Sequence, residues 1–275
     1  MKYFISIFAI SCCLISTNLF AQDSLAKHPI LTKKFSISTG VFLPSKNIKI
    51  KANGSTPNEE IDFGKTFDFN DSEITFAASA KWRFARNWNL GFEYYSIKNG
   101  STRSIEKDIE WNDYTFKAGL SVGAGFNLDL YRVFFGRNIS TGPKHELGGG
   151  LGIHAMDITT YLEGEAFLDD LNTGFRRESI TALAPLPNIG FWYFWAPSEK
   201  FLVTARLDWL SVKISNIKGS LLNLAPGIQY QVFKNIGVGA SYRYFNLNVD
   251  IEDNNWDGGI ALSFHGPMFS LTGNF

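Results

Sequence analysis

Cysteine is almost missing from this chain of 275 residues: the only two, Cys12 and Cys13, sit side by side near its start. Removal of that leader would leave a protein without thiols, which excludes disulfide staples and thiolate metal sites. Long apolar runs are missing after Leu14, so no later segment supplies the roughly 20 apolar residues that a membrane-crossing helix needs. An excess of either charge is missing too. Lysine plus arginine and aspartate plus glutamate number 26 each. No strong field therefore draws nucleic acid, and none is expected as a partner.

The leader itself reads as a secretory signal peptide over residues 1–21. Lys2 gives a positive start, Phe4 to Leu14 form the apolar core, and Asn18-Leu19-Phe20-Ala21 offers a small residue before Gln22. Lipidation at Cys12 or Cys13 would split the apolar core, and the flanking residues fit a lipoprotein site poorly. Residues 22–34 are expected as a periplasmic lead, and 35–275 as one large all-β domain. The mean hydropathy of −0.06 is unlike that of a helical membrane protein. Chains in which only every second strand residue faces lipid reconcile export with such a value. The 25 Phe, 10 Tyr, 7 Trp and 25 Gly suit aromatic girdles around a crowded interior.

Ten segments alternate with a period of two, the signature of strands. In the first, Phe35, Ile37, Thr39 and Val41 share a face. In the second, Phe76, Ala78, Ala80, Trp82 and Phe84 do, and in the third Trp88, Leu90, Phe92 and Tyr94. The expected lipid face is even-numbered in strands two, three, four, eight and nine, and odd-numbered in strands one, five and seven. That assignment places Ala124, Phe126, Leu128 and Leu130 of strand four outward and leaves the face of Tyr131 to Phe135 ambiguous. The sixth segment is interrupted by Pro185 and Pro187. In the last, Ile260, Leu262 and Phe264 are expected outward, with a bulge at Gly266-Pro267 restoring that face for Phe269, Leu271, Gly273 and Phe275. Short links (85–87, 196–200, 234–235) and a modest turn (137–145) alternate with long polar stretches (43–72, 98–121, 157–180). Short turns at one end and long loops at the other predict a single antiparallel up-and-down transmembrane β-barrel. Ten strands fit the count best. Eight or twelve are the alternatives, because 98–121 has room for an extra hairpin.

The alternating strands and the terminal Phe275 resemble small bacterial outer-membrane β-barrels, the broad class that holds the OmpA-like and OmpW-like families. The stretches His145-Glu146-Leu147-Gly148-Gly149-Gly150-Leu151-Gly152 and Ala184-Pro185-Leu186-Pro187-Asn188-Ile189-Gly190 resemble barrels of undefined function. The resemblance implies an outer-membrane location, contact with its lipid and lipopolysaccharide, and recognition of Phe275 by the barrel-assembly machinery. A monomer is expected.

The inward set is where chemistry would reside: Lys81, Arg83, Glu93, Glu146, His154, Arg206, Asp208, Arg243 and His265. Charges inside a narrow barrel must pair, or each costs several kcal/mol. Two roles follow for this set, a charge network that plugs the lumen or the lining of a narrow pore. Gly119-Leu120-Ser121-Val122-Gly123 matches a nucleophile-elbow pattern, yet no helix follows it. The run Gly148 to Gly152 likewise lacks the helix N-terminus that would hold phosphate. His154 and Asp157 lie on opposite strand faces, so no catalytic residue is assigned. Two acidic groups, Glu163, Glu165, Asp169 and Asp170 and then Asp250, Glu252, Asp253 and Asp257, lack the spacing of a calcium loop. Neither metal nor cofactor is expected. Arg176-Arg177 suits lipid phosphates, and Trp111 and Trp256 suit an outer aromatic belt. The expected role is structural or surface-interacting, with a charged lumen plug and long external loops. A narrow pore for small solutes is the alternative, and a lipid-modifying enzyme or protease the third. A soluble lipocalin-like protein would need polar residues where Trp82, Phe92, Phe126, Trp209 and Tyr242 are expected to face outward.

Overall fold

The computed structural model describes residues 27–52, 60–69, 74–214, 217–253 and 256–275. The expected signal peptide, 1–21, lies outside them. The described chain is an all-antiparallel, up-and-down β-sheet. Its strands are β1 (Phe35–Phe42), β2 (Ser45–Ala52), β3 (Ile61–Asp62), β4 (Thr75–Ala85) and β5 (Trp88–Ser104). Then come β6 (Ile109–Trp111), β7 (Tyr114–Phe116), β8 (Ser121–Thr141), β9 (His145–Leu168) and β10 (Leu171–Trp195). β11 (Phe201–Ile214), β12 (Ile217–Leu224), β13 (Gly227–Gln231), β14 (Ile236–Asp253) and β15 (Trp256–Asn274) complete it.

Pairing leaves β1 through β4, passes strand by strand to β14 and β15, and returns to β1. At that last seam Ser36 Oγ donates to Asn274 Oδ1 at 2.8 Å, and the hydroxyls of Ser38 and Thr272 lie 2.7 Å apart. Two strands are interrupted, each at a proline that has no N–H to give to a ladder. β1 and β2 share the partner β15 across Leu43-Pro44. β12 and β13 share β11 and β14 across Ala225-Pro226. Backbone bonds bridge both breaks, Leu43 N–H to Pro267 O at 3.0 Å and Tyr242 N–H to Pro226 O at 2.9 Å.

The long polar stretches are mostly strand. Residues 157–180 belong to one hairpin, β9 with β10, closed by Asp169 and Asp170 at φ 47° and 64°. Aspartate tolerates this left-handed conformation, which a tight hairpin turn demands. Residues 98–121 hold the small β6–β7 hairpin, which touches the main sheet at Thr115 opposite Phe167. Pro185 and Pro187 do not end a strand. β10 runs through them, because its ladder to β11 starts only at Ile189 opposite Trp209 and that edge needs no N–H from either proline.

Taking the end that carries Phe35 and Phe275 as the lower one, the wall has two tiers of opposite chemistry. In the lower tier the exposed face is apolar: Ile37, Trp82, Phe92, Val133, Phe135, Ile153, Trp209, Tyr242 and Leu271 all point outward. In the upper tier the exposed face carries Lys98, Asp157, Ser179, Ser211 and Asn248, and apolar side chains turn inward except on β10, where Leu171, Phe175 and Leu183 are exposed. Phe126, Leu128, Leu130, Met156, Leu162, Phe245, Leu247, Leu262 and Phe264 form one buried core with Phe63, Phe67 and Trp111.

This inversion corrects three expectations. Phe126, Leu128 and Leu130 face inward, not outward, as do Leu262 and Phe264. No bulge forms at Gly266-Pro267, since β14 and β15 keep one register from Ile236 opposite Gly273 to Asp253 opposite Trp256. Trp111 belongs to the core, edge-on to Phe63 at 6.0 Å, and to no outer belt. The physical reason is common to all three. Strand parity holds, while the surroundings of the outer face change, so apolar side chains pass to the inner face. The side chain of Trp256 lies outside the described residues.

Beneath the lower mouth, residues 27–34 turn back against the wall. His28 caps a single helical turn, Pro29–Thr32, its Nδ1 accepting from Ile30 N–H at 3.2 Å. Ile30 packs with Ala196 and Leu202.

Candidate functional site: a charged interior between two seals

Inward parity alone brings most of the site together, because each strand of the lower tier sends alternate residues into the same interior. Two clusters result. In the lower one Glu146 on β9 takes Lys81 Nζ at 3.2 Å, the Arg83 guanidinium, and Trp192 Nε1–H at 3.0 Å. Arg83 also donates to the carbonyls of Leu31 and Ile30, which ties the N-terminal turn to the wall. Gly148 makes room for this cluster, since a Cβ there would overlap the Trp192 indole. The glycine run thus clears space for side chains and, at Gly150, for the backbone of the neighbouring strand.

The upper cluster centres on Glu93 and Asp208. Glu93 pairs with Arg206 and Arg243. Asp208, fully buried, accepts from Arg132 at 2.6 Å, Asn188 at 3.3 Å and Asn223 at 2.8 Å, and lies 3.4 Å from Arg206 Nε. Asn188 gives its amide N–H to Asp208, so its oxygen faces His154 Nδ1 at 2.9 Å. That arrangement assigns the proton to Nδ1 of His154, whose Nε2 stands 3.9 Å from Asp208. Carboxylates sharing several cationic donors make charge-assisted bonds, stronger than neutral ones.

Of the nine residues singled out from the sequence, Lys81, Arg83 and Glu146 meet in the first cluster. Glu93, His154, Arg206, Asp208 and Arg243 meet in the second. His265 joins neither. It is exposed on the outer face, hydrogen-bonded to the Tyr242 hydroxyl at 2.8 Å, because the absent bulge leaves odd residues of β15 outward. Sequence reasoning missed Arg132, Asn188, Asn223 and Trp192. All four have inward parity. Arg132 sits in the stretch whose face was ambiguous, and Asn188 directly follows the two prolines.

Below the upper cluster lies a cavity of about 260 Å³, with Ile30 on its wall. Two of the outer acidic residues, Asp170 and Glu163, engage their own chain. Lys117 binds Asp170 at 2.8 Å, which holds that carboxyl below and the ammonium above their usual ranges. Arg177 lies over the Tyr161 ring at 3.7 Å and pairs with Glu163 at 3.4 Å. Arg176 lies over Tyr114 at 5.8 Å. Glu252, Asp253 and Asp257 have side chains outside the described residues. Among the described residues no group of three or more potential metal ligands converges. Burial lowers the His28 imidazole to about 4.

No protein-family model matches this sequence, and no curated protein matches it. Solved structures do resemble it in fold. The outer membrane protease OmpT of Escherichia coli aligns with a TM-score of 0.60 at 11% identity, covering 88% of this chain and 97% of that one. The toluene transporter TodX of Pseudomonas putida aligns with a TM-score of 0.39 at 10% identity, over 95% of this chain and 93% of that one. The attachment invasion locus protein Ail of Yersinia pestis gives 0.36 at 12%, over 86% and 98%. At these identities the likeness is one of fold, and OmpT alone among the three is close enough to bear weight.

Proposed function

We propose that this chain is a ten-stranded β-barrel of a Gram-negative outer membrane, closed to solutes, with a structural or surface-interacting role. The count takes β1 with β2, and β12 with β13, as one strand each, and leaves out the short β3, β6 and β7. The apolar outer face of the lower tier supports the membrane seat. It runs from Phe76 to Phe84 on β4 and from Phe201 to Trp209 on β11, close to the about 9–11 residues a tilted strand needs to cross. Phe35, Trp82, Phe84, Phe135 and Trp88 touch ring to ring in sequence along its lower edge, stacked except for the edge-on Trp82–Phe84 pair, where an interfacial girdle belongs. In this seat the lower face touches membrane lipid, the polar upper tier stands among lipopolysaccharide and beyond, and Phe275 is offered to the assembly machinery. The chain acts as a monomer.

One observation carries the closed state: the apolar core of the upper tier fills the interior above the charge network. Ions do not cross such a core. The charged residues therefore brace the wall and line no through-path. Catalysis is no part of this role. His154, the residue best suited to it, is 1% exposed and engaged with Asn188.

Single-channel recording of purified protein in planar bilayers tests this, with folding established by heat-modifiable gel migration. Silence is the expected result. Stable open steps that change with Arg206→Ala or Arg243→Ala would replace it with the pore.

A further inference from the structure

We propose that the lower cavity binds a small oxyanion, a phosphate or carboxylate group, held by Lys81, Arg132, Arg206 and Arg243. All four line the cavity, and every charged residue on its wall is a cation. Hydroxyls of Ser79 and Ser270 add neutral donors.

The charge count favours a counter-ion, beyond what the ring faces of Phe194, Phe134 and Tyr95 give Lys81, Arg132 and Arg243. In the lower cluster Lys81 and Arg83 share the single carboxylate of Glu146. In the upper one Arg132, Arg206 and Arg243 share two, Glu93 and Asp208. Each cluster is thus one positive charge in excess among the described residues. An uncompensated buried charge costs several kcal/mol, and a guanidinium cannot shed its proton to escape that cost. Hydrogen-bond donors are in excess too. Nε of Arg132, Nε of Arg243 and Nη2 of Arg206 are buried without a hydrogen bond, against Asn223 Oδ1 and Glu93 Oε1 among the acceptors, the latter ion-paired with Arg243. Arg132 and Arg243 are 6% and 3% exposed, so bulk solvent does not satisfy them.

An oxyanion answers both excesses, because its oxygens accept several charge-assisted bonds at once. About 260 Å³ falls just under the range of roughly 300–1,000 Å³ typical of drug-sized ligands. The occupant is accordingly inorganic phosphate or a short carboxylic acid, not a nucleotide. Entry lies at the lower mouth, past Ile30, since the apolar core closes the other end.

The test is calorimetric titration of folded, detergent-solubilised protein with inorganic phosphate, sulfate and succinate at constant ionic strength, chloride being the background anion. One saturable site for at least one oxyanion is expected, together with a rise in thermal midpoint. Ser270→Asp builds a carboxylate into the wall shared with Arg206 and Arg243 and should weaken binding by roughly tenfold or more. Lys81→Met should weaken it similarly, and Lys81→Arg should retain it. No saturable heat and no midpoint shift in the wild type would overturn the proposal without recourse to any variant. Binding that survives Ser270→Asp and Lys81→Met unchanged would overturn it equally, by placing the anion elsewhere.

Discussion

Phe264→Ala separates the two-tier wall from a wall whose apolar residues all face lipid. Phe264 is fully buried. Its ring stacks on Phe245 at 4.5 Å and meets Phe42 and Tyr95 edge-on at 5.9 and 5.7 Å. Truncating a buried Phe costs about 3–5 kcal/mol through lost transfer energy and the cavity left behind. Each aromatic pair is worth about 0.5–1.5 kcal/mol beyond buried area, partly counted already in that figure. A loss of about 4–5 kcal/mol is therefore expected. Phe269, on the same strand, is half exposed on the outer face, where lipid takes the place of water, and Phe269→Ala should cost about 1.5–3 kcal/mol, the transfer energy alone, since lipid refills the space and leaves no cavity. Urea unfolding of the protein refolded into lipid vesicles, followed by tryptophan fluorescence, measures both. Equal losses, or a larger loss at Phe269, would refute the inward placement of Phe264 and restore the bulge at Gly266-Pro267.

Glu146→Gln should cost about 3–5 kcal/mol, because it leaves Lys81 and Arg83 buried without their carboxylate. It should also expose Lys27, Lys33 and Lys34 to trypsin, as Arg83 loses the partner that aims it at the N-terminal turn. Anchoring of that turn should depend on pH through His28, whose folded value near 4 lies below the ordinary 6.5. A base depressed by folding binds more protons when the turn is released. The anchored form is therefore fully favoured above about pH 6.5 and weakens as pH falls toward 4. Hydrogen exchange at Ile30 and Leu31 should accelerate across that window, and His28→Asn should flatten the profile. Lys117→Ala breaks exposed ion pairs with Asp170 and Asp108 and should leave the thermal midpoint unmoved, as exposed pairs contribute little.

The strands of the lower tier were legible because lipid-type surroundings force strict alternation on the outer face. Ile37, Trp82, Phe92, Trp209 and Tyr242 declare that face without help from pairing. Eight of the nine inward candidates followed from parity on the same strands. What parity could not give is which charge meets which. Glu93 lies on β5 and Arg243 on β14, and their meeting depends on the diameter of the interior, which no local pattern encodes. Residues 157–180 looked like a loop because their outward side is polar. A strand surrounded by water on one face and by protein on the other is as polar on average as a loop, and its tight turn at Asp169-Asp170 carries no glycine.

The height at which the wall changes character was nevertheless written in the chain, as doublets of adjacent large apolar residues. A switch of face places two such residues side by side, although the lower tier also repeats the pattern at Phe134-Phe135 and from Phe191 to Trp195, where the inner face is itself aromatic. Tyr94-Tyr95, Leu130-Tyr131 and Tyr244-Phe245 are such doublets. Pairing sets Tyr94 opposite Tyr131 and Tyr95 opposite Leu130. It sets Phe245 opposite Phe264, with Tyr244 opposite His265. Each doublet has one member outward and one buried: Tyr131 exposed and Leu130 buried, Tyr244 exposed and Phe245 buried. Below them the outer member continues an apolar outer face, and above them the inner member begins an apolar core. The stretch Tyr131 to Phe135 looked ambiguous because the switch falls at its edge. A lipid-seated barrel with a watery lumen needs no such doublet, whereas one that rises out of its membrane as a packed β-wall acquires them on strands that continue through the boundary, as β5, β8 and β14 do here.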